Sequence, residues 1–335
     1  MPSSPRIKVL FPGFALACMV AMAAQFVANQ TQSPVMLIAL LFGICLNSAV
    51  NDAKNTLQEG LSFSATTILK IGIVLLGARI SFNLFIELGW PVVSLVILGL
   101  IVTLLFGIVL GKLLGQSRQF AILTAGAVSI CGASAALAIS SILPDENGNK
   151  EQNLFFTILG VTIFSTVAMI VYPAILSFLA FDNETTGIIL GATIHDVAQV
   201  VGAGFSVSEE TGEIATLTKL IRISLLAPFV IILSLIFNSN SAAKNHEKPP
   251  LIPKFILGFL IFVILNSMGF IPIQIQTALV TCSKVLLLVA ISAVGLKVSL
   301  KEFGSLGRNA ILLLLIETIV IFFFATVYVF FSAAT

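Results

Sequence analysis

The chain has 335 residues, 58% of them hydrophobic and 10% charged, with a formal net charge of +2 and a mean hydropathy of +1.11. A soluble domain carries about 25% charged residues, so this is the composition of a polytopic membrane protein, in which charge reports topology rather than partners. With so small a net charge and no Lys/Arg run or aromatic-interleaved basic patch, a nucleic-acid partner is excluded.

The amino terminus, MPSSPRIK, leads into an apolar run over 9–27 that is longer than a signal-peptide core and has no clean small-x-small cleavage site after it. It predicts an uncleaved first helix. Windows of membrane-spanning length fall near 9–28, 34–47, 66–84, 90–111, 152–180, 213–237, 254–270, 276–297 and 308–332, which predicts about nine spanning helices in one transmembrane domain. Residues 238–253 form a polar, Pro-bearing linker carrying His246, for which no role is expected. Two segments stand apart from the Leu/Ile/Val/Phe-rich spans: 120–143, with the run AGAVSICGASAALAISS, and 187–206, GIILGATIHDVAQVVGAGFS. Both are rich in Gly, Ala and Ser. Irregular backbone at membrane depth is tolerated only where it is buried in protein or lines water, and interrupted apolar segments point to a transporter's binding site.

The chain also repeats itself. GARISFNLFIELG at 77–89 reads against GLKVSLKEFGSLG at 295–307, setting Arg79 on Lys297, Ser81 on Ser299 and Phe85 on Phe303. One helix earlier, LLFGICLNS ending at Ser48 resembles FLIFVILNS ending at Ser267, which sets Asn47 on Asn266 at nearly the same offset. Helices two to four therefore recur as the last three. A weaker match sets Gly126 and Ala127 on Gly191 and Ala192, and Ala133 on Ala198.

Arg6 and Lys8 place the amino terminus inside by the positive-inside rule. Alternation then keeps Lys54, the Lys112/Arg118 loop, the Lys244/Lys248/Lys254 loop and the Lys301/Arg308 loop inside, and the carboxy terminus outside with Asp182, Glu184, Glu209, Glu210 and Glu213. This holds if 120–143 and 187–206 each enter and leave on one side; if both span, 145–151 moves out and 182–184 moves in. Only the first arrangement makes the two segments enter from opposite faces, as an inverted repeat requires. Hairpins or broken half-helices meeting near the midplane are therefore favoured over complete spans.

Chemistry is expected at these two segments. In 120–143, Ser129, Cys131, Gly132 and Ser134 surround the expected break, where a half-helix N-terminus with free N–H groups and nearby hydroxyls makes an anion site; close packing of small residues is the alternative. In 187–206, Asp196 is the candidate proton or cation group, His195 a proton carrier or a donor to an anion, and Gln199 stands one turn beyond. The alternative is a His/Asp pair that only buttresses the break. An ionised Asp at the bilayer centre costs roughly 2.5–3.5 kcal/mol, so intramembrane charge marks a partner or a pathway.

Lys219 and Arg222 share a helix face and either supply positive charge to an anion path or snorkel to the interface. Lys70, Lys284 and Glu317 are the other ionisable residues within spans, and Lys284 and Glu317 could pair between neighbouring helices. Arg79 and Lys297 read as topology anchors, and Asn47 and Asn266 as ties between helix ends. Cys18, Cys45, Cys131 and Cys282 lie in apolar segments without CxxC or Cys/His spacing; neither a disulfide framework nor a metal site is expected, and no cofactor is implied. The HExxH, GxGD and GxSxG signatures are missing, which argues against an enzyme.

The stretches FGICLNSAVN, LLGARISF, AGAVSICGASAALA, GATIHDVAQVVGAG, TLTKLIRISLLAP and AVGLKVSL cover most of the chain in order. Together they resemble the YeiH-like family of bacterial membrane proteins, designated sulfate exporters. The resemblance implies kinship with the antiporter and anion-transporter fold of inverted repeats and interrupted helices, but no established catalytic residues to carry over. The combined expectation is an all-α, inverted-repeat transporter of the bacterial inner membrane, moving a small anion, sulfate or sulfonate-derived, by alternating access. The lipid bilayer is its surroundings, and homodimer formation is open to such a fold. The alternatives are a cation/proton antiporter or sodium-coupled organic-anion carrier on the same fold, a membrane-embedded enzyme, and a channel.

Overall fold

The computed structural model describes residues 4–31, 33–47, 54–145, 148–237, 254–298 and 307–332. The linker 238–253 lies outside them, as do Ser299, Lys301 and Phe303 of the repeat. Every regular element among the described residues is helical, the form in which a chain satisfies its own backbone groups in lipid. In chain order these are α1 (Ser4–Thr31), α2 (Val35–Asn47), α3 (Lys54–Phe63), a π turn (Ser64–Ile68), α4 (Leu69–Leu76), α5 (Phe82–Leu113), α6 (Arg118–Ser129), α7 (Ala133–Ile142) and α8 (Lys150–Phe178). There follow α9 (Asn183–Thr193), α10 (Val197–Val207), α11 (Glu209–Ser224), α12 (Leu226–Phe237), α13 (Lys254–Ser267), α14 (Ile273–Lys297) and α15 (Arg308–Ser332).

Among the described residues, seven helical stretches are long and apolar enough to cross a membrane: Lys8–Thr31, Thr56–Leu76, Leu88–Leu113, Lys150–Phe178, Glu209–Phe237, Ile273–Lys297 and Arg308–Ser332. The other two expected spans are α2 and α13, of 13 and 14 residues. At 1.5 Å per residue each covers about 20 Å of a hydrocarbon core about 30 Å thick. The expected window 66–84 is displaced toward the amino terminus, because its helix starts before the apolar run and ends at Leu76. Its early polar residues hide their hydroxyls: Ser64 donates to Gly60 O at 2.9 Å and Thr66 to Ser62 O at 2.7 Å. Such back-bonding lets a polar stretch continue as helix where average hydropathy places a loop.

The chain forms two compact units. The first comprises Met1–Leu88, Val201–Glu213 and Pro253–Ser299. Within it α14 packs on α2 and α4, α13 on α4, and α1 on α2 and α3. Glycine makes these approaches close. A Cβ on Gly43 would stand 2.7 Å from Gly295 Cα, and one on Gly295 2.5 Å from Leu40 O. Gly13 of α1 and Gly60 of α3 meet in the same way, each facing the other helix's backbone. The repeat-related asparagines tie helix ends: Asn47 donates to Leu296 O at 2.5 Å and Asn266 to Ile80 O at 3.3 Å. Gln276 supports Asn266, donating to its Oδ1 at 2.8 Å and to Ala78 O at 3.1 Å.

Arg79 binds Glu209 at 2.6 Å and also Glu213, and Lys284 lies 2.9 Å from Glu209. The expected pairing of Lys284 with Glu317 is therefore corrected. Lys284 turns to an acid of its own unit, and Glu317 belongs to the other unit.

The second unit comprises Gly89–Val200, Ile214–Ile252 and Leu300–Thr335. It begins at a kink in α5, where Gly89 has φ +49° and is followed two residues later by Pro91. Within it α15 packs on α6, α8 and α9, while α7 packs on α6, α8 and α12. The two Gly/Ala/Ser-rich segments meet here.

Candidate functional site at two interrupted helices

The segment 120–143 folds as α6 and α7, interrupted over 130–132. At the interruption Ile130 has φ −116° and ψ −83°, and Gly132 has φ +61° and ψ −125°. That second conformation suits glycine, which has no Cβ to collide with its own backbone. The segment 187–206 folds within α9 and α10, interrupted over 194–196. The two breaks touch: a Cβ on Gly132 would lie 3.6 Å from both Cβ and the carbonyl oxygen of His195. Gly132→Ala has room to fit but would hold alanine in a disfavoured backbone region. It should lower stability by about 1–3 kcal/mol, read as a lower melting temperature in detergent.

Breaking a helix strands its last carbonyls and the first N–H groups of the next half. The carbonyl ends here are capped by α11. Lys219 donates to Ile130 O at 2.9 Å and to Ile194 O at 2.7 Å. Arg222 donates through Nε to Ser129 O at 2.5 Å, through Nη1 to Ile194 O at 3.0 Å, and through Nη2 to Val128 O. The backbone N–H of Gly132 satisfies Ala127 O at 2.8 Å, and the Ser129 hydroxyl donates to Gly126 O at 3.3 Å. Each carbonyl from Gly126 to Ile130 thus has a partner. Lys219 and Arg222 are 0% and 1% exposed, so neither snorkels. Their positive charges sit at the C-terminal ends of two half-helices, where the backbone dipoles favour cations. Gly191 permits this approach of α9 to α11, since a Cβ there would lie 2.5 Å from Ala215 O.

The two N-terminal ends differ. Asp196 caps α10, its Oδ1 accepting from the Ala198 N–H at 2.8 Å, while its own N–H donates to Ser165 Oγ of α8 at 3.0 Å. A carboxylate is well placed at a helix N-terminus. The N-terminus of α7 has Gly132 in the capping position and no side-chain cap. The buried Cys131 adjoins it. Ser134, one residue inside α7, is exposed on the face that also carries Leu137 and Ser141, and among the described residues no hydrogen bond joins it to His195. Ser134 therefore stands apart from the other candidates in side-chain contact, though not along the chain.

His195 is fully buried, with Nε2 2.9 Å from Thr318 Oγ1 of α15. The Thr318 hydroxyl also lies 2.7 Å from Leu314 O, to which it donates. Gln199 is also buried; its Nε2 reaches Thr166 Oγ1 at 3.4 Å and its Oε1 has no partner among the described residues. Sequence reasoning misses Ser165, Thr166 and Thr318. Their helices read as ordinary spans, and a lone hydroxyl in such a span carries no distinguishing signal.

A family model described as "Conserved hypothetical protein 698" matches residues 12–314. The chain is 45% identical over 329 residues to the UPF0324 membrane protein TauZ of Paracoccus denitrificans, covering 98% of this chain and 97% of that one. It is 43% identical over 315 residues to the UPF0324 membrane protein CT0845 of Chlorobaculum tepidum, covering 94% and 87%. With the UPF0324 inner membrane protein YeiH of Salmonella typhi it shares 32% identity over 314 residues, 91% and 89% of the two chains. On this similarity across nearly its whole length, the chain belongs to the UPF0324 family of membrane proteins.

Proposed function

We propose that the protein is a secondary transporter of a small anion, sulfate or a sulfonate-type anion, working by alternating access in the bacterial inner membrane. Its amino terminus is cytoplasmic and its carboxy terminus periplasmic. The observation that carries this reading is the charge at the two breaks. Two half-helix C-termini and two half-helix N-termini bring partial charges of about 0.5 each, which cancel in pairs. Lys219 and Arg222 then stand against the single carboxylate of Asp196, an imbalance of one positive charge that suits an anion and opposes a cation. Donors remain to hold one: Lys has three and Arg five N–H groups, of which carbonyls take two and three. The first turn of α7, where the Ala135 N–H meets the Cys131 thiol and Gly132 supplies no side-chain cap, adds the dipole of a half-helix N-terminus, which suits an anion.

The internal repeat supports an inverted arrangement, since Asn47 and Asn266 each close a helix end with a carbonyl from the other copy. Such repeats with discontinuous helices are the architecture of alternating access. Asp196, capping α10 next to His195, is the coupling carboxylate in this reading. A dianion would be repelled by it, so the anion sits toward α7 and the two cations.

The test is uptake of radiolabelled sulfate, and separately of an alkylsulfonate, into proteoliposomes with and without an imposed pH gradient. The wild type should show saturable exchange accelerated by the gradient. Asp196→Asn should fold normally, because Asn also caps helices, and should lose the acceleration. No saturable exchange of either anion removes the proposal, and a requirement for sodium favours the sodium-coupled rival. Unchanged coupling in Asp196→Asn removes the role given to that carboxylate.

A further inference from the structure

Glu317 lies near the middle of α15, 0% exposed. Its Oε1 is 3.0 Å from Thr124 Oγ1 of α6, and its Oε2 has no hydrogen-bond partner among the described residues. It has no cation within ion-pair distance among them. Among the described residues, no charged side chain of the helices packed on α15 faces it: Lys112, Arg118, Lys150, Glu151 and Glu184 all stand at the ends of α5, α6, α8 and α9, and Arg308 begins α15 itself. Tyr172 of α8 donates to Thr318 O at 3.3 Å, and His195 Nε2 lies 2.9 Å from Thr318 Oγ1.

A glycine makes the space for this carboxyl. A Cβ on Gly107 of α5 would come 2.5 Å from Glu317 Oε1. The hydrogen bonds are consistent with a neutral acid: the Thr124 hydroxyl can donate to Ala121 O, 3.2 Å away, while accepting from protonated Oε1. An ionised carboxylate in this place would be buried with one hydroxyl and, among the described residues, no counter-ion, which buried surroundings strongly disfavour. A side chain so expensive, with one replaceable hydrogen bond, is poorly explained by packing alone.

We propose that Glu317 is a second proton-carrying site: a buried carboxylic acid between α5, α6 and α15, adjoining the residue that holds His195, which takes up a proton from water on one side of the membrane and releases it on the other during the transport cycle. This rests on the transporter reading for its role in the cycle, but not for its binding of a proton. The proton occupies one carboxyl oxygen in this conformation and leaves when the site is rehydrated, so no other reactant is needed.

Two measurements on the full chain test it. Infrared difference spectra across a pH series should show a protonated-carboxyl band at neutral pH that is lost in Glu317→Gln. Thr124→Val, which removes only the hydrogen-bond partner, should move that band to higher frequency and keep it, a check that survives if the glutamine variant folds poorly. In proteoliposomes, Glu317→Gln should keep anion exchange and lose its acceleration by a pH gradient. Acceleration equal to wild type, or a neutral-pH band unchanged by both substitutions, overturns the inference. If the wild type exchanges no anion, the transporter reading fails and the infrared result alone decides whether Glu317 binds the proton.

Discussion

Arg222→Met should lower the unfolding free energy by about 3 kcal/mol or more, and Lys219→Met by about 1–2 kcal/mol, from the penalty of stranding buried carbonyls. Methionine keeps the bulk of either side chain but donates nothing. Without Arg222, the oxygens of Val128 and Ser129 lose their side-chain donor, while Ile194 O keeps Lys219. Without Lys219, only Ile130 O is stranded, because Arg222 still holds Ile194 O. The order of the two effects therefore discriminates this capping role from a general need for positive charge, which would make them equal. Thermal unfolding of the purified protein in detergent, followed by size-exclusion chromatography, measures both. Equal stability of Arg222→Met and the wild type would refute the capping role. Arg222→Lys should recover part of the loss, since an ammonium reaches fewer of the three carbonyls than a planar guanidinium.

A side chain added at Gly295 should be comparably damaging, through a different unit and a different force. Alanine there should cost about 1–3 kcal/mol and leucine more, because overpacked cores must shift backbone or leave rotamer wells. The obstacle is main chain: a Cβ at this position would stand 2.5 Å from Leu40 O, with Gly43 Cα and Ile44 N close behind. In lipid, helix association has little hydrophobic drive and rests on close backbone approach. Separating α2 from α14 would also pull apart the Asn47 hydrogen bond to Leu296 O. The readout is the fraction of monodisperse protein after heating. Gly307, with open space around its Cβ position, provides the control: Gly307→Ala should lower the melting temperature less than Gly295→Ala, because it loses only the preference for glycine over alanine at the start of α15.

Legibility from the sequence follows the physics of each signal. Apolar length is readable for the longer spans, because lipid demands runs of about 20 apolar residues. It fails for α3 and the π turn, where Ser64 and Thr66 satisfy their hydroxyls within their own helix. The density of Gly, Ala and Ser singles out 120–143 and 187–206, and the repeat lets Asn47 and Asn266 be read as ties. The behaviour of Lys219 and Arg222 is not readable: their spacing puts them on one face, but does not say which way that face turns. The mistaken pairing of Glu317 with Lys284 has the same cause, and the contact of Glu317 with Thr124 joins residues remote along the chain.

By itself the sequence determined that this chain is a helical membrane protein with two unusual small-residue segments. Composition and periodicity are local properties, and the bilayer translates them directly into helices. Only the tertiary structure decided that the breaks at 130–132 and 194–196 touch, that α11 turns two cations onto their stranded carbonyls, and that Glu317 sits opposite Gly107. Those outcomes depend on how helices rotate and approach one another, which is set by packing among distant parts of the chain rather than by any residue's own preference.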